Sequence, residues 1–291
     1  MSDLQAFKAE GSEDLTKNFT NDSAMMIAYE RCLETSKPAE ERLVMDPFAH
    51  VLAGPKGKML SDQFEVGCGQ FGLDGWPEFH KTWTAVRTHF IDEQIARCGQ
   101  IAQMVNLGAG LDTRAYRSET FRGFSKCFEV DMEIVNEEKR RIFDQVLGNP
   151  LPMCPVSIID LDFLADHKNL RHELSAAGFQ TEEPCLFVAE GLIMYLGPAG
   201  KLKLIRDISA CAAPGSVWVL QFMDPSDSPW ANSEQAKFAL TREEAEEALT
   251  QGGWKDLQFL KFGDEGLNFG RFPLDQFRPC AAFSFVVAVK S

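Results

Sequence analysis

The stretch Asn106-Leu107-Gly108-Ala109-Gly110-Leu111-Asp112-Thr113-Arg114 constrains this chain more than any other. It follows a short apolar run, Ile101 to Val105, and leads into a segment that can turn helical. A strand that ends in Gly-x-Gly and feeds a helix is how α/β proteins hold a nucleotide-like ligand. The glycines permit a tight turn and a close backbone approach, and the helix N-terminus offers free N–H groups. A dinucleotide site wants a third glycine three residues after Gly110, and that position is Thr113. A nicotinamide-dependent dehydrogenase is disfavoured on that ground.

Around this stretch the chain changes character. The first hundred residues read as helices and loops. Ala24 to Glu34 is one helix with Asp22 or Ser23 as N-cap, and Pro38 to Arg42 is a turn. A short helix restarts at Asp46-Pro47-Phe48-Ala49 and ends near Gly54-Pro55. Gly67 to Gly75 is a glycine-rich loop, and Pro77 to Cys98 is a long helix stopped by Gly99. From Gln100 onward, strand-like runs fall at Ile101–Asn106, Lys126–Val130, Val156–Ile159, Cys185–Ala189, Val217–Phe222, Leu257–Phe262 and Ala282–Val289. Helix-compatible segments separate the first five, at Thr113–Glu119, Glu133–Leu147, Ala165–Ala177 and Ala199–Ala212. Thr241-Arg242-Glu243-Glu244 fits a capping box and opens a helix that stops at Gly252. Such alternation predicts a mostly parallel sheet covered on both faces. The last two strands have only a loop between them, which favours an antiparallel pair at the sheet edge. Seven strands, five in parallel alternation and a final hairpin, is the Rossmann-like layout of class I methyltransferases. The expected division is 1–99 as a helical lid that binds the acceptor and 100–291 as the cofactor-binding core.

Charge and cysteine usage narrow the function classes. With 29 Lys plus Arg against 43 Asp plus Glu, the formal net charge is −14. Nucleic acid and anionic membranes both demand positive charge, so neither is expected as a partner. Eight cysteines are scattered with no C-x-x-C, and several sit in apolar runs. They read as buried free thiols rather than disulfides or metal ligands. Met1 to Glu10 lacks the apolar core of a signal peptide, and the longest apolar run, Ala281 to Val289, is far short of the ~20 residues of a membrane span. A cytoplasmic monomer or homodimer is expected.

Two longer motifs carry a resemblance. Asn106 to Arg117 (NLGAGLDTRAYR) and Ala189-Glu190-Gly191-Leu192-Ile193-Met194-Tyr195-Leu196 resemble the leucine carboxyl methyltransferase family over most of the chain, from about Thr20 to the C-terminus. That family includes protein-phosphatase carboxyl methyltransferases and small-molecule O-methyltransferases. The resemblance implies S-adenosylmethionine as cofactor, with Gly108, Ala109 and Gly110 passing under its methionine part. Asp160-Leu161 would lie at the adenine, with Asp162 as a competing assignment, and Arg87 of the Val86-to-Asp92 segment would pair with the cofactor carboxylate. Glu190 would face the sulfonium or amino group, since a carboxylate after the apolar run Leu186 to Ala189 is costly unless paired.

Other roles rest on spacing and chemistry. Asp131 lies 23 residues after Gly108, near the ~20-residue interval at which a carboxylate meets ribose hydroxyls. It could instead cap the helix from Glu133, and Glu129 is the reserve candidate on the same sheet face. Arg114 either pairs with Asp112 or another acid to hold the loop, or contacts the cofactor.

The acceptor is less legible. Methyl transfer to an ionised carboxylate needs no general base, whereas a hydroxyl acceptor does. Tyr195, His89, Tyr29 and His80 are the candidates, with Tyr195 foremost as an acceptor-side contact. Protein-methylating relatives usually carry a lysine soon after a serine in the first helix. Here Ser23 is followed by Ala24-Met25-Met26, which tilts the reading to a small-molecule acceptor. Met25, Met26, Phe48, Phe64, Phe71, Trp76, Phe79 and Trp83 either line an apolar pocket or form the core of the lid. The alternatives left open are carboxyl methylation of a protein C-terminus and a catalytically inactive cofactor-binding sensor or partner subunit.

Overall fold

The computed structural model describes residues 13–70, 75–165, 169–224, 239–271 and 282–291, with side chains from residue 22. Three helices come first: α1 (Glu13–Thr35), α2 (Ala49–Gln70) and α3 (Trp76–Arg97). The alternating part follows as β1 (Gln103–Leu107), α4 (Arg114–Arg117), β2 (Lys126–Asp131), α5 (Glu133–Gln145), β3 (Val156–Asp160), α6 (Leu170–Ala176), β4 (Cys185–Ala189), α7 (Gly197–Cys211) and β5 (Val217–Met223). It ends with α8 (Arg242–Gln251), β6 (Trp254–Lys261) and β7 (Phe283–Lys290). Short 3₁₀ turns span Glu119–Gly123 and Ile193–Tyr195.

The seven strands form one sheet in the order β3-β2-β1-β4-β5-β7-β6. The pairs among β1 to β5 are parallel, and β7 runs antiparallel to both neighbours. The expected hairpin is present, with β7 inserted beside β5 and β6 left on the edge. Every residue of β1 and β4 is buried; β4 therefore reads as a continuous apolar run, while β1 carries Gln103 and Asn106, whose amides donate to the Gln180 and Glu183 carbonyls and to Asp112. Side chains alternate between faces. Val105, Leu107, Phe128, Val130 and Phe187 join Leu204, Ile208 and Leu249 of α7 and α8 in one cluster. Met104, Cys127, Leu186, Val188 and Phe285 join Phe79, Trp83, Val86 and Phe90 of α3 in another. The α3 residues recur at i, i+4, i+7 and i+11, one face of the helix. Trp83 meets Phe262 edge-on at 5.5 Å between centroids and lies 5.2 Å from Phe283.

Several local readings need correction. α1 starts at Glu13, so neither Asp22 nor Ser23 caps it. Asp22 is part of an uninterrupted helix and pairs with Lys56 of α2. The helix after Phe48 does not stop at Gly54-Pro55. Gly54 adopts φ 53° and kinks it, and Pro55 then opens the resumed helix, where its missing N–H costs nothing. That helix runs to Gln70, so the first part of the expected Gly67–Gly75 loop is helical, while 71–74 lie outside the described residues. The aromatic set suggested as a pocket is mostly core: Phe79 and Trp83 are fully buried on the sheet, and Phe48 stacks on Phe143 at 6.2 Å. Phe71 lies outside the described residues.

The α1–α2 contact is close enough to depend on a missing side chain. A Cβ on Gly57 would come 2.6 Å from the Met25 carbonyl oxygen and 3.0 Å from Ala53 Cβ. Gly57→Ala is expected to lower unfolding stability by about 1–3 kcal/mol, as overpacking does. A urea midpoint equal to that of wild type would show that the two helices separate at no cost.

Seven of the eight cysteines are described, and all are free. Burial pushes the Cys98 and Cys154 thiols up to about 11 and Cys211 up to about 12, so these are packing residues. Cys280 lies outside the described residues. No described helix is long and apolar enough to cross a membrane.

Candidate active site

The sheet order reverses between β1 and β4: the chain moves outward from β1 to β3, then returns to β4 on the other side. Ligands of open α/β sheets bind in the crevice beyond the carboxyl ends of such a pair. Leu107 pairs with Ala189 there, so the loop from Gly108 and the loop from Glu190 leave the sheet side by side. Gly108 and Gly110 adopt φ 66° and 51°, which side-chain-bearing residues rarely do. A Cβ on Gly108 would lie 3.1 Å from Leu192 Cβ, in the second motif. The N–H groups of Gly108 and Ala109 both donate to the Val130 carbonyl, at 2.8 and 3.2 Å.

Asp131 ends β2 facing this loop. Its Oδ2 accepts from the Gly110 N–H at 2.7 Å and its Oδ1 from the Met132 N–H at 2.7 Å. Each oxygen keeps a further lone pair for a ligand hydroxyl. Burial pushes this carboxyl above the ordinary value, and the two N–H donors with nearby Lys139 recover part of the shift. Glu129, the reserve candidate, is engaged elsewhere. Lys139 Nζ donates to its Oε2 at 2.6 Å with both side chains almost fully buried. Lys139 sits on the buried stripe of α5 with Val135, Asn136, Ile142 and Phe143. Asp160 accepts from Asn136 Nδ2 at 2.8 Å and Arg140 Nη2 at 3.0 Å. Leu161 is 2% exposed within the main core. Asp162 accepts from the Leu164 N–H, capping its own turn.

Across the crevice, Glu190 faces two arginines. Its Oε2 accepts from Arg114 Nη1 at 2.9 Å, and its Oε1 lies 2.8 Å from Arg87 Nε. The Arg87 contact is an ion pair by distance, yet the Nε–H is not aligned on that oxygen and is buried without a hydrogen-bond acceptor. The Gln221 Nε2 group beside it is likewise buried and unpartnered, while its Oε1 accepts from the Gly191 N–H at 2.7 Å. Burial pushes the Glu190 carboxyl up, but Arg114 and Arg87 outweigh it and hold the group below its ordinary value.

Arg114 is the hub of the site. Beyond Glu190 it donates from Nε to Asp92 Oδ1 at 2.6 Å and from Nη1 to Asp112 Oδ2. Arg117 adds a second donor to Asp92 at 2.8 Å. Asp112 also accepts from the Arg114 N–H at 2.7 Å and from Asn106 Nδ2 at 3.0 Å. A single guanidinium therefore ties α3, the glycine loop and the end of β4 together, which is the loop-holding role for Arg114.

A second set of contacts went unanticipated. Arg31 of α1 donates from Nη2 to the Leu111 carbonyl at 2.7 Å and from Nε to Asp46 at 2.9 Å. Asp46 also accepts from the Thr113 hydroxyl at 2.8 Å. The residue that replaces the third glycine thus bolts the loop to the N-terminal helices. Thr113→Val removes one bond from a buried carboxylate that keeps its others, so a loss of about 1 kcal/mol in urea unfolding is expected. No local pattern announces the contacts of Arg31 and Asp46 with the glycine loop, because those partners lie 80 and 67 residues away.

The acid–base candidates scatter. His89 is not brought to Glu190: its Nδ1 donates to the Leu43 carbonyl at 3.0 Å and its ring meets Phe269 edge-on at 4.6 Å. It is two residues from Arg87, about 200° around the helix. Tyr29 is half-buried against Met25, Ala28, Leu52 and Ala53. Tyr195 is 49% exposed on the 3₁₀ turn after Glu190. His80 is bound to Glu30, with Nδ1 2.7 Å from Oε1.

Comparisons with known proteins meet this geometry. A profile of the leucine carboxyl methyltransferase family matches residues 24–209, more than half of the chain. A Mycobacteroides abscessus protein, named as a candidate S-adenosyl-L-methionine-dependent methyltransferase, is 29% identical over 198 residues, 67% of this chain and 63% of its own. Two similarly named Mycolicibacterium smegmatis proteins are 32% and 34% identical, over 69% and 67% of this chain and 66% and 64% of theirs. The chain spans slightly under two thirds of the length of these relatives. Among solved structures, a candidate methyltransferase of Thermobifida fusca aligns with TM-score 0.55 at 17% identity, over 72% of this chain and 82% of that one. A DUF574 family protein of Streptomyces avermitilis aligns at 0.54 and 13%, over 92% and 97%. These two likenesses concern the fold. The profile match spans both the glycine loop and the Glu190 motif, and this chain belongs to the leucine carboxyl methyltransferase family.

Proposed function

We propose that this protein is an S-adenosylmethionine-dependent O-methyltransferase that acts on a small molecule. The observation that carries this reading is the meeting of three features at the switch point. They are the Gly108–Gly110 loop, the Asp131 carboxylate bonded to it, and the Arg87–Glu190 pair across the crevice. The residues suit the group. Asp131 offers carboxylate lone pairs to two ribose hydroxyls. Arg87 has a buried Nε–H without an aligned acceptor, which a cofactor carboxylate would satisfy. Glu190 supplies negative charge for an ammonium or sulfonium, and Arg114 keeps it ionised. Asp160 and Leu161, at the end of β3, would take the adenine side.

When bound, S-adenosylmethionine supplies an electrophilic methyl group with a neutral leaving group. The protein's task is then to orient and to exclude water, and alignment alone is worth on the order of 7–11 kcal/mol. The Gly108–Gly110 loop and the Arg114 hub suit that task, because their hydrogen bonds tie the crevice walls together. A small acceptor is favoured by α1, whose Ala24 Cβ would lie 3.7 Å from a Cβ on Gly110. Its neighbours there are Met25 and Met26. Tyr195, exposed on the 3₁₀ turn that follows Glu190, would contact the acceptor. A cytoplasmic setting goes with this reading, since the described cysteines are all free thiols.

The test is transfer of a labelled methyl group from S-adenosylmethionine into a cell extract, fractionated by size. Label is expected in the small-molecule fraction. Label confined to protein C-termini would overturn the acceptor class, and no label in either fraction with intact cofactor binding would favour an inactive binding subunit.

A further inference from the structure

Glu30 and His80 form a pair that packing alone does not require. Glu30 is 2% exposed, and both of its carboxylate oxygens are engaged: Oε1 by His80 Nδ1 at 2.7 Å, and Oε2 by the Thr84 hydroxyl at 2.5 Å. Burying a carboxylate is costly unless it is bonded, and here both bonds come from α3. The carboxylate accepts, so Nδ1 carries a proton, and in the neutral ring the lone pair lies on Nε2. Nε2 has no partner among the described residues, and the side chain is 19% exposed. The ring also lies 5.3 Å from that of Phe64 on α2. The other charges nearby, Lys81 and Glu65, satisfy each other at 3.2 Å. A histidine oriented by a buried carboxylate, with its second nitrogen left open, is the arrangement of a general base.

The position agrees with that chemistry. His80, Thr84 and Arg87 follow at i, i+4 and i+7 on one face of α3, which sets His80 about 10 Å along the axis from Arg87. Arg87 meets Glu190, and Arg31, next to Glu30, donates to the Leu111 carbonyl of the glycine loop. α1 and α3 together therefore hold the pair on the lid side of the crevice, beyond its charged end.

We propose that His80 is the general base of the methyl transfer, that Glu30 sets its tautomer, and that the acceptor is consequently a hydroxyl compound of phenol or enol type rather than a carboxylate. This rests on the methyltransferase reading above. The proton of the acceptor hydroxyl passes to His80 Nε2, and the oxygen pair forms the bond to the methyl carbon. The pair of the breaking carbon–sulfur bond stays on sulfur. A cation and a neutral hydroxyl compound thus become a neutral thioether, a methyl ether and an imidazolium, which returns its proton to solvent. An ionised carboxylate acceptor would give this base nothing to remove.

Two probes separate the acceptor classes: ethyl 4-hydroxybenzoate, with a hydroxyl and no free acid, and benzoate, with an acid and no hydroxyl. The full chain is expected to methylate the first. His80→Gln is expected to lower kcat by about 10²–10⁴-fold. Its affinity for S-adenosylhomocysteine and its KM for the probe should stay at wild-type values, a kcat-against-KM split that a purely structural role would not produce. Glu30→Gln should lower kcat in the same direction and abolish the Nδ1–H signature of His80 in long-range proton–nitrogen spectra. Unchanged turnover in His80→Gln, or methylation of benzoate alone, overturns the proposal. If neither probe is turned over, the histidine spectrum decides. Movement of the His80 signals by millimolar ethyl 4-hydroxybenzoate but not by benzoate supports it, and no movement overturns it. Failure of the methyltransferase reading appears separately, as absence of S-adenosylhomocysteine binding by calorimetry. The same spectrum recorded without that ligand then decides the His80 contact.

Discussion

Arg114→Met is expected to cost about 3–5 kcal/mol of unfolding free energy, the range for removing one partner of a buried ion-pair cluster. The reason is the number of charges left behind. Arg114 is 4% exposed and faces Asp92, Asp112 and Glu190, and a methionine fills its volume while abandoning all three. Arg114→Lys should rescue little, because an ammonium is a point charge and these carboxylates lie in three directions from a planar fork. Acid unfolding offers a second reading. Burial pushes the Asp112 carboxyl up, but Arg114 and Lys139 hold it well below its ordinary value, and Glu190 is lowered in the same sense. A group whose folded-state value is depressed contributes stability above its unfolded value of about 4, and loses it as pH falls through the folded value. Removing Arg114 should therefore reduce stability at neutral pH and shift the onset of acid unfolding to higher pH. Urea titrations at several pH values check both, and a loss under about 1 kcal/mol would mean that solvent reaches these carboxylates.

The second large effect concerns Asp131. Asp131→Asn is expected to weaken S-adenosylhomocysteine binding by about 10–100-fold, since charge-assisted hydrogen bonds are worth about 1.5–3 kcal/mol each. The amide also sets an NH₂ group against either the Gly110 N–H or the Met132 N–H, where the carboxylate accepts from both. Because burial raises the Asp131 carboxyl, wild-type affinity should begin to fall in acid above the ordinary carboxylate value of about 4. The variant should lack that step. Calorimetry across this pH range checks it, and identical profiles would assign Asp131 to loop structure alone.

What the sequence disclosed follows from the range of the forces involved. Strand β4 was legible because a parallel strand buried on both faces is apolar throughout, and β1 because its mostly apolar run ends directly in the Gly-x-Gly turn. The capping box at Thr241 was legible because it is local, and the Thr241 and Glu244 side chains do exchange the two bonds. Glu190 stood out as an acid directly after an apolar run. The N-terminal helices were less legible. The kink at Gly54 and the helix resuming at Pro55 carry the same residues that end a helix elsewhere, and only the packing of α1 on α2 decides between them. The bond from Arg31 to the Leu111 carbonyl and the pairs Arg114–Glu190 and Glu30–His80 were hidden for a different reason: contacts 50 to 80 residues apart leave no periodic trace. Lys139 did leave one. A lysine among Val135, Ile142 and Phe143 on the inner face of α5 must pair when buried, and its partner turned out to be Glu129, the reserve candidate for the ribose.

The central claim is that the crevice between the Gly108 loop and Glu190 receives S-adenosylmethionine. Titration of the 291-residue chain with S-adenosylhomocysteine in a calorimeter tests it most directly. Saturable binding near one equivalent, weakened in Asp131→Asn and in Glu190→Gln, is the expected result. Absence of heat at millimolar ligand with folded wild-type protein, or binding that neither substitution disturbs, would contradict the account.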